Sequence, residues 1–202
     1  MAYNKFKKLE QLQKSLGINH LNREWLPKKL PHFRATPLLL QILEDAVSEP
    51  LNTEKAKSEC IISPIIKDLK RQNPHKISTF SGYEFDVDKS QGLSGFCDFI
   101  LSTVPEKLTI VSPVFCLVEA KKDSIEKGWG QCGAEMYAAQ IFNEREGTPH
   151  KAIYGCVSTG FSWSFLKLVG KELLIDPNLV HLSFQNPNDV LAVLQWILDE
   201  SL

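Results

Sequence analysis

The sequence predicts an α/β fold, a mixed sheet flanked by helices and preceded by a helical N-terminal segment. Three observations lead there. Apolar residues recur at helical spacing up to about residue 73, the pattern then changes to the two-residue alternation of strands, and a long helical stretch separates the third strand from the fourth. The 202 residues have ordinary globular composition, 43% hydrophobic and 23% charged. That suits one domain with an appended segment, here divided as helical residues 1–52 packed on an α/β domain of residues 53–202.

In residues 4–16, Phe6, Leu9, Leu12 and Leu16 fall on one helical face, and Gly17 suits the position after the C-cap. After a Pro-containing connection, Thr36 can cap a second helix whose first residue is Pro37 and which stops near Pro50. Thr53 can cap a third, with Glu59, Ile62, Ile66 and Leu69 along one stripe, and Pro64 is expected to kink or shorten it. Glu59 is an acid where an apolar residue belongs.

From residue 77 the strands begin. "GYEFDVDK" and "FCDFILST" alternate with period two, the Gly/Ser turn "SQGLSG" lies between them, and "PVFCLVEAK" is the third strand of an antiparallel meander. Residues 124–144 read as a helix with Gln131, Ala134, Tyr137, Ala138 and Ile141 on one face. "KAIYGCVST", "SWSFLKLVG" and "KELLID" supply further strands, and "PNDVLAVLQWILDE" closes the chain as a helix capped by Asn188 or Asp189.

Bulk properties narrow the function. No apolar run approaches the roughly 20 residues of a membrane helix, and no secretory leader is expected from the lysine-bearing first ten residues. The five cysteines form no CxxC pair, which fits buried thiols in a reducing cytoplasm rather than a disulfide framework or zinc site. Net charge is −1, so the chain is not a broadly basic binder. The charge is uneven, however: residues 1–76 hold 14 Lys/Arg against 8 Asp/Glu, and residues 77–202 hold 9 against 16. A basic half beside an acidic half suits a phosphate-facing surface next to a carboxylate site; a solvated surface with uneven lysines is the competing explanation. Lys28, Lys29, Arg34, Lys67, Lys70 and Arg71 are the candidate phosphate contacts. No GxSxG and no P-loop appear, so neither a serine hydrolase nor an ATP-driven motor is indicated.

The chemistry concentrates at "CLVEAKK". Alternation along the strand sends Leu117, Glu119 and Lys121 to one side, and on the preceding strand Phe96, Asp98 and Ile100 share a face. Asp98 opens its strand and Glu119 ends the next, so antiparallel pairing makes them neighbours. Two adjacent carboxylates repel unless a proton or metal relieves them. Oxygen donors without Cys or His favour Mg²⁺, with Mn²⁺ as substitute, over zinc. For Glu119 and Lys121 taken alone, a salt bridge at the strand's rim is the favoured reading, and it is the addition of Asp98, Glu59 and Gln131 that points to a site.

The run Asp98, twenty residues, Glu119-Ala120-Lys121 resembles the D…(D/E)xK pattern of the PD-(D/E)xK nuclease superfamily. "SGFCDFIL" and "LVEAKK" are similar to nuclease segments of type I restriction subunits. The resemblance covers about residues 53–158 and implies a restriction-endonuclease-like fold. It implies a deoxyribonuclease in which Asp98, Glu119 and the Ala120 carbonyl hold Mg²⁺ and Lys121 positions the attacking water. Glu59 would contact the metal through water or hold Lys121, and Gln131 would orient the site. Cys97 stands where the motif has Pro, and Tyr137 lies six residues after Gln131, so the Gln-Tyr signature of part of the superfamily is missing. DNA is the implied partner. A homodimer is one expectation, because a single site cuts one strand, and translocation would require a partner protein. A non-cleaving nucleic-acid-binding or assembly module on the same fold is the alternative.

Overall fold

A computed structural model describes residues 3–202. At its centre lies an eight-stranded mixed sheet with helices on both faces. A 3₁₀ turn, Tyr3–Lys5, leads into α1 (Leu9–Leu16), and the two are interrupted where the sequence predicts one helix. Gly17 ends α1 with φ 68°, the left-handed conformation that glycine adopts without steric penalty. The segment before residue 53 is not wholly helical, because β1 (Asn19–Asn22) joins the sheet. This four-residue polar edge strand has no apolar alternation to betray it, and its partners lie some 150 residues away. The N-terminal segment is thereby built into the sheet.

Thr36 caps α2 (Pro37–Ala46) by accepting the Leu39 N–H, and Thr53 accepts the Ala56 N–H at the start of α3 (Glu54–Lys57). Helical winding continues from α3 through a π turn, Ser58–Ile62, into α4 (Ser63–Gln72). Pro64 therefore falls in the first turn of α4, where its missing N–H is tolerated. The π turn inserts an extra residue and rotates everything before it relative to everything after it. Ile62, Ile66 and Leu69 remain buried, while Glu59 swings to the surface.

The strands β2 (Ser78–Glu84), β3 (Phe96–Ser102) and β4 (Val114–Ala120) form the antiparallel meander. β2 stops at Glu84, and the following residues make a loop that returns through the Val87 N–H to Leu93. α5 (Glu126–Arg145) crosses over to β5 (Ile153–Ser158), which lies parallel to β4. Then come β6 (Ser162–Val169), β7 (Glu172–Ile175) and β8 (Val180–His181). The order is β1-β7-β6-β5-β4-β3-β2, with β8 on β6. α6 (Asn188–Asp199) closes the chain. Neither Asn188 nor Asp189 caps it: Asn188 Oδ1 is engaged by the Ala35 N–H at 2.9 Å, and Pro187 occupies the cap position.

Two apolar cores follow from this layering. One gathers α2, the π turn, α4 and α6 around Phe115, Trp163 and Phe165; the other packs α1 and α5 over Ile100, Leu117 and Leu166. Among the described residues, no helix is long and apolar enough to cross a membrane.

The start of α5 fits beneath the N-terminal segment because it is glycine-rich. A Cβ at Gly130 would lie 2.4 Å from the Phe6 carbonyl oxygen, and one at Gly133 would lie 2.7 Å from a Leu12 methyl. Helix propensity alone favours Gly130→Ala by roughly 1 kcal/mol. The backbone clash reverses the sign: Gly130→Ala is expected to destabilise the protein by about 1–3 kcal/mol in urea denaturation, and a stabilised variant would contradict this packing.

Candidate active site

Ile100 and Leu117 are paired across β3 and β4, and both enter the core under α5. On the same face, Asp98 stands two residues before Ile100 in β3 and Glu119 two residues after Leu117 in β4. Pairing of the two strands stops at Phe99–Val118. Beyond that point the Ala120 N–H donates to Asp98 Oδ2 at 2.8 Å. The carboxylate thus fastens the end of β4, and the space ahead of the strands opens as a cavity of about 800 Å³.

Glu119 is almost fully buried, its side chain 2% exposed, and Lys121 is 18% exposed beside it. Lys121 Nζ pairs with Glu119 Oε1 and lies 3.5 Å from Gln131 Oε1. Gln131 projects from α5, and its Nε2 donates to Glu135 Oε1 at 3.0 Å. Gly128 lets α5 come this close, since a Cβ there would lie 3.1 Å from Lys121 Cγ and 2.5 Å from a Val157 methyl. Asp98, Glu119, Ala120, Lys121 and Gln131 are accordingly brought together.

Glu59 is not. It is exposed and faces Lys55 at 3.8 Å, an i,i+4 surface pair. The acid that this helical stretch sends to the cavity is Glu54, whose Oε2 accepts the Lys122 N–H at 3.1 Å. The proposed basic contacts also lie elsewhere. Lys67, Lys70 and Arg71 line a separate cavity with His75 and Glu106, beside the opposite end of β3. Lys28, Lys29 and Arg34 do not line the site cavity; Lys7, Lys8 and Lys127 do.

Glu135, fully buried, is the component with least sequence signal, an acid four residues from Gln131 on a helix whose neighbouring positions are mostly small. Together with Asp98 and Glu119 it makes three carboxyl groups facing one lysine. Burial lifts Glu119 well above the usual carboxylate range, and Glu135 and Asp98 add to that against the pull of Lys121. Burial lifts Glu135 to about 8. Asp98 is also raised by burial, with the Ala120 N–H and Lys121 opposing. For Lys121, burial disfavours the charge, but Glu119 outweighs it and the pKa rises.

One oxygen of Glu119 and one of Glu135 (Oε2 in each) are buried without a hydrogen-bond partner. A buried carboxylate oxygen left this way costs about 1–3 kcal/mol or more unless a proton or cation satisfies it. Among the described residues, no group of three or more His, Cys, Asp and Glu side chains is arranged to hold a metal ion. The donor set fits the other mode of binding, in which one or two carboxylates share a hard cation with several waters. Comparison of the chain with protein-family profiles gives no match, and neither does comparison with curated proteins.

Between the unfolded value of about 4.3 and the folded value of about 8, Glu135 holds a proton that the unfolded chain releases. Its stabilising contribution is complete below the lower value and is lost as pH rises through the upper one. In EDTA, Tm is therefore expected to fall by several degrees from pH 5 to pH 8.5, and Glu135→Gln should flatten that decline. A Tm that rises across this window would contradict the assignment.

Proposed function

We propose that the protein is a divalent-metal-dependent deoxyribonuclease of PD-(D/E)xK type on a restriction-endonuclease-like fold. The observation that carries this reading is the convergence of Asp98, Glu119, Lys121 and Gln131 in one cavity, with a Glu119 oxygen buried and unsatisfied. The order of meander, helix α5 and parallel strand β5 supports it as well.

Asp98 and Glu119 are the protein's side-chain ligands for Mg²⁺ or Mn²⁺, with the Ala120 carbonyl as the expected backbone donor. A bound divalent ion supplies polarisation of a phosphoryl oxygen and a lowered pKa for coordinated water. Lys121 is the positioning group for the attacking water, and its ammonium also offsets negative charge developing on the phosphoryl oxygens. Gln131 holds that ammonium from the second side. Because its Nε2 is committed to Glu135, its oxygen faces Lys121. Glu54 fixes the chain just after β4 through Lys122. The role expected for Glu59 has no geometric support.

A second reading, a non-cleaving nucleic-acid-binding or assembly module, is favoured by one observation: Asp98 Oδ2 already accepts the Ala120 N–H and Glu119 Oε1 already pairs with Lys121, so the protein itself engages both carboxylates. Cleavage assays separate the two. With Mg²⁺ or Mn²⁺ the purified protein is expected to hydrolyse DNA, and EDTA should abolish the activity. Lys121→Ala and Glu119→Gln should each lower the rate by about 100-fold or more, whereas Glu59→Ala should remain within about twofold of native, as expected for an exposed surface pair. DNA left intact in both ions, as linear, circular and single-stranded substrate, would favour the second reading.

A further inference from the structure

One side chain in the cavity has no part in this chemistry. Phe96 begins β3, two residues before Asp98 and on the same face. It is 53% exposed and belongs to neither apolar core. A large aromatic face beside the buried Glu119 and the half-buried Asp98 is neither core packing nor a metal ligand.

The rim around it carries three lysines, Lys7, Lys8 and Lys127, together with the acid Glu54, and the exposed Glu84 faces Phe96 across β2 and β3. Lys7 and Lys8 lie there because the N-terminal segment is anchored over α5. The Tyr3 hydroxyl donates to the Phe85 carbonyl at 2.7 Å, and the Phe6 carbonyl occupies the space that Gly130 leaves. Gln11 Oε1 accepts the N–H groups of both lysines at 2.7 and 2.9 Å, fixing the backbone that presents them. Lys127 contributes a further ammonium from the first turn of α5. Lysines that share a cavity with an exposed aromatic side chain suit a nucleic-acid strand, with phosphates on the ammoniums and a base on the ring. A duplex keeps its base faces stacked on one another, so they are not free to cover Phe96. The cavity, about 800 Å³, lies within the size range of clefts that enclose a small ligand, about 300–1,000 Å³, which suits a splayed nucleotide.

We infer that the substrate is single-stranded DNA, held with a base against Phe96 and neighbouring phosphates on Lys7 and Lys8. This rests on the phosphodiesterase reading for the chemistry, but the binding is measurable without it. Fluorescence anisotropy in EDTA, with a labelled oligonucleotide offered as a single strand and as a duplex, tests it. The single strand is expected to bind about tenfold or more tightly than the duplex. Phe96→Ala should weaken strand binding by about tenfold, and Phe96→Trp should preserve it. Joint Lys7→Ala and Lys8→Ala substitution should reduce the magnitude of the log Kd against log salt slope by about 1.4. Equal affinity for duplex and strand, or strand binding unchanged in Phe96→Ala, would overturn the inference. Cleavage, measured separately in Mg²⁺, tells the two claims apart. Strand binding that depends on Phe96 without turnover upholds the platform and refutes hydrolysis; turnover with no dependence on Phe96 upholds hydrolysis and refutes the platform.

Discussion

Glu119 sits at the end of a strand buried along its whole length, with carboxyl groups of Asp98 and Glu135 near it and a single lysine as counter-charge. Burying an ionised carboxylate costs several kcal/mol even after relaxation, and a like-charged neighbour increases that cost. A fold that existed only to be stable would place Leu or Val there, as β4 does at Leu117 and Val118. The site is best understood as a local penalty that the two apolar cores sustain and that protons, or under the proposed function a divalent cation, would relieve.

The surrounding structure serves that arrangement. Asp98 interrupts strand pairing by taking the Ala120 N–H, which opens the sheet where the cavity begins. Gly128 admits the stem of Lys121, and Gly130 admits the N-terminal segment, so the same few glycines bring α5, β4 and the basic rim to one place. The Gln131–Glu135 bond fixes the amide that faces Lys121. The layout separates duties: Glu119 and Glu135 lie deep, Asp98 is half buried, the Lys121 ammonium is mostly shielded, and the freely exposed lysines and Phe96 line the same cavity.

Much of this was legible in the sequence wherever a local rule acted. Period-two alternation predicted β3 and β4 and put Asp98 beside Glu119. Thr36 and Thr53 marked their helix starts because side-chain capping is local. The misplacements came from longer-range causes. A π turn has no reliable local signature, and it rotated Glu59 out of the stripe that straight helical spacing assigned to it. Glu54, one turn earlier, reached the cavity instead. β1 carries no alternation and is held by a distant strand, so it could not be read from its own four residues. Lys7 and Lys8 lie in the first helical stretch and carry no signal of their own; the contact between Phe6 and Gly130 brings them to the site. Glu135 became meaningful once α5 was laid across β4.

The most direct test of the central claim is anomalous diffraction from crystals soaked in Mn²⁺. The account predicts one strong peak within coordination distance of Asp98 and Glu119, absent in a Glu119→Gln crystal treated identically. A native crystal with no peak between these carboxylates, or a peak that persists unchanged in the variant, would contradict it.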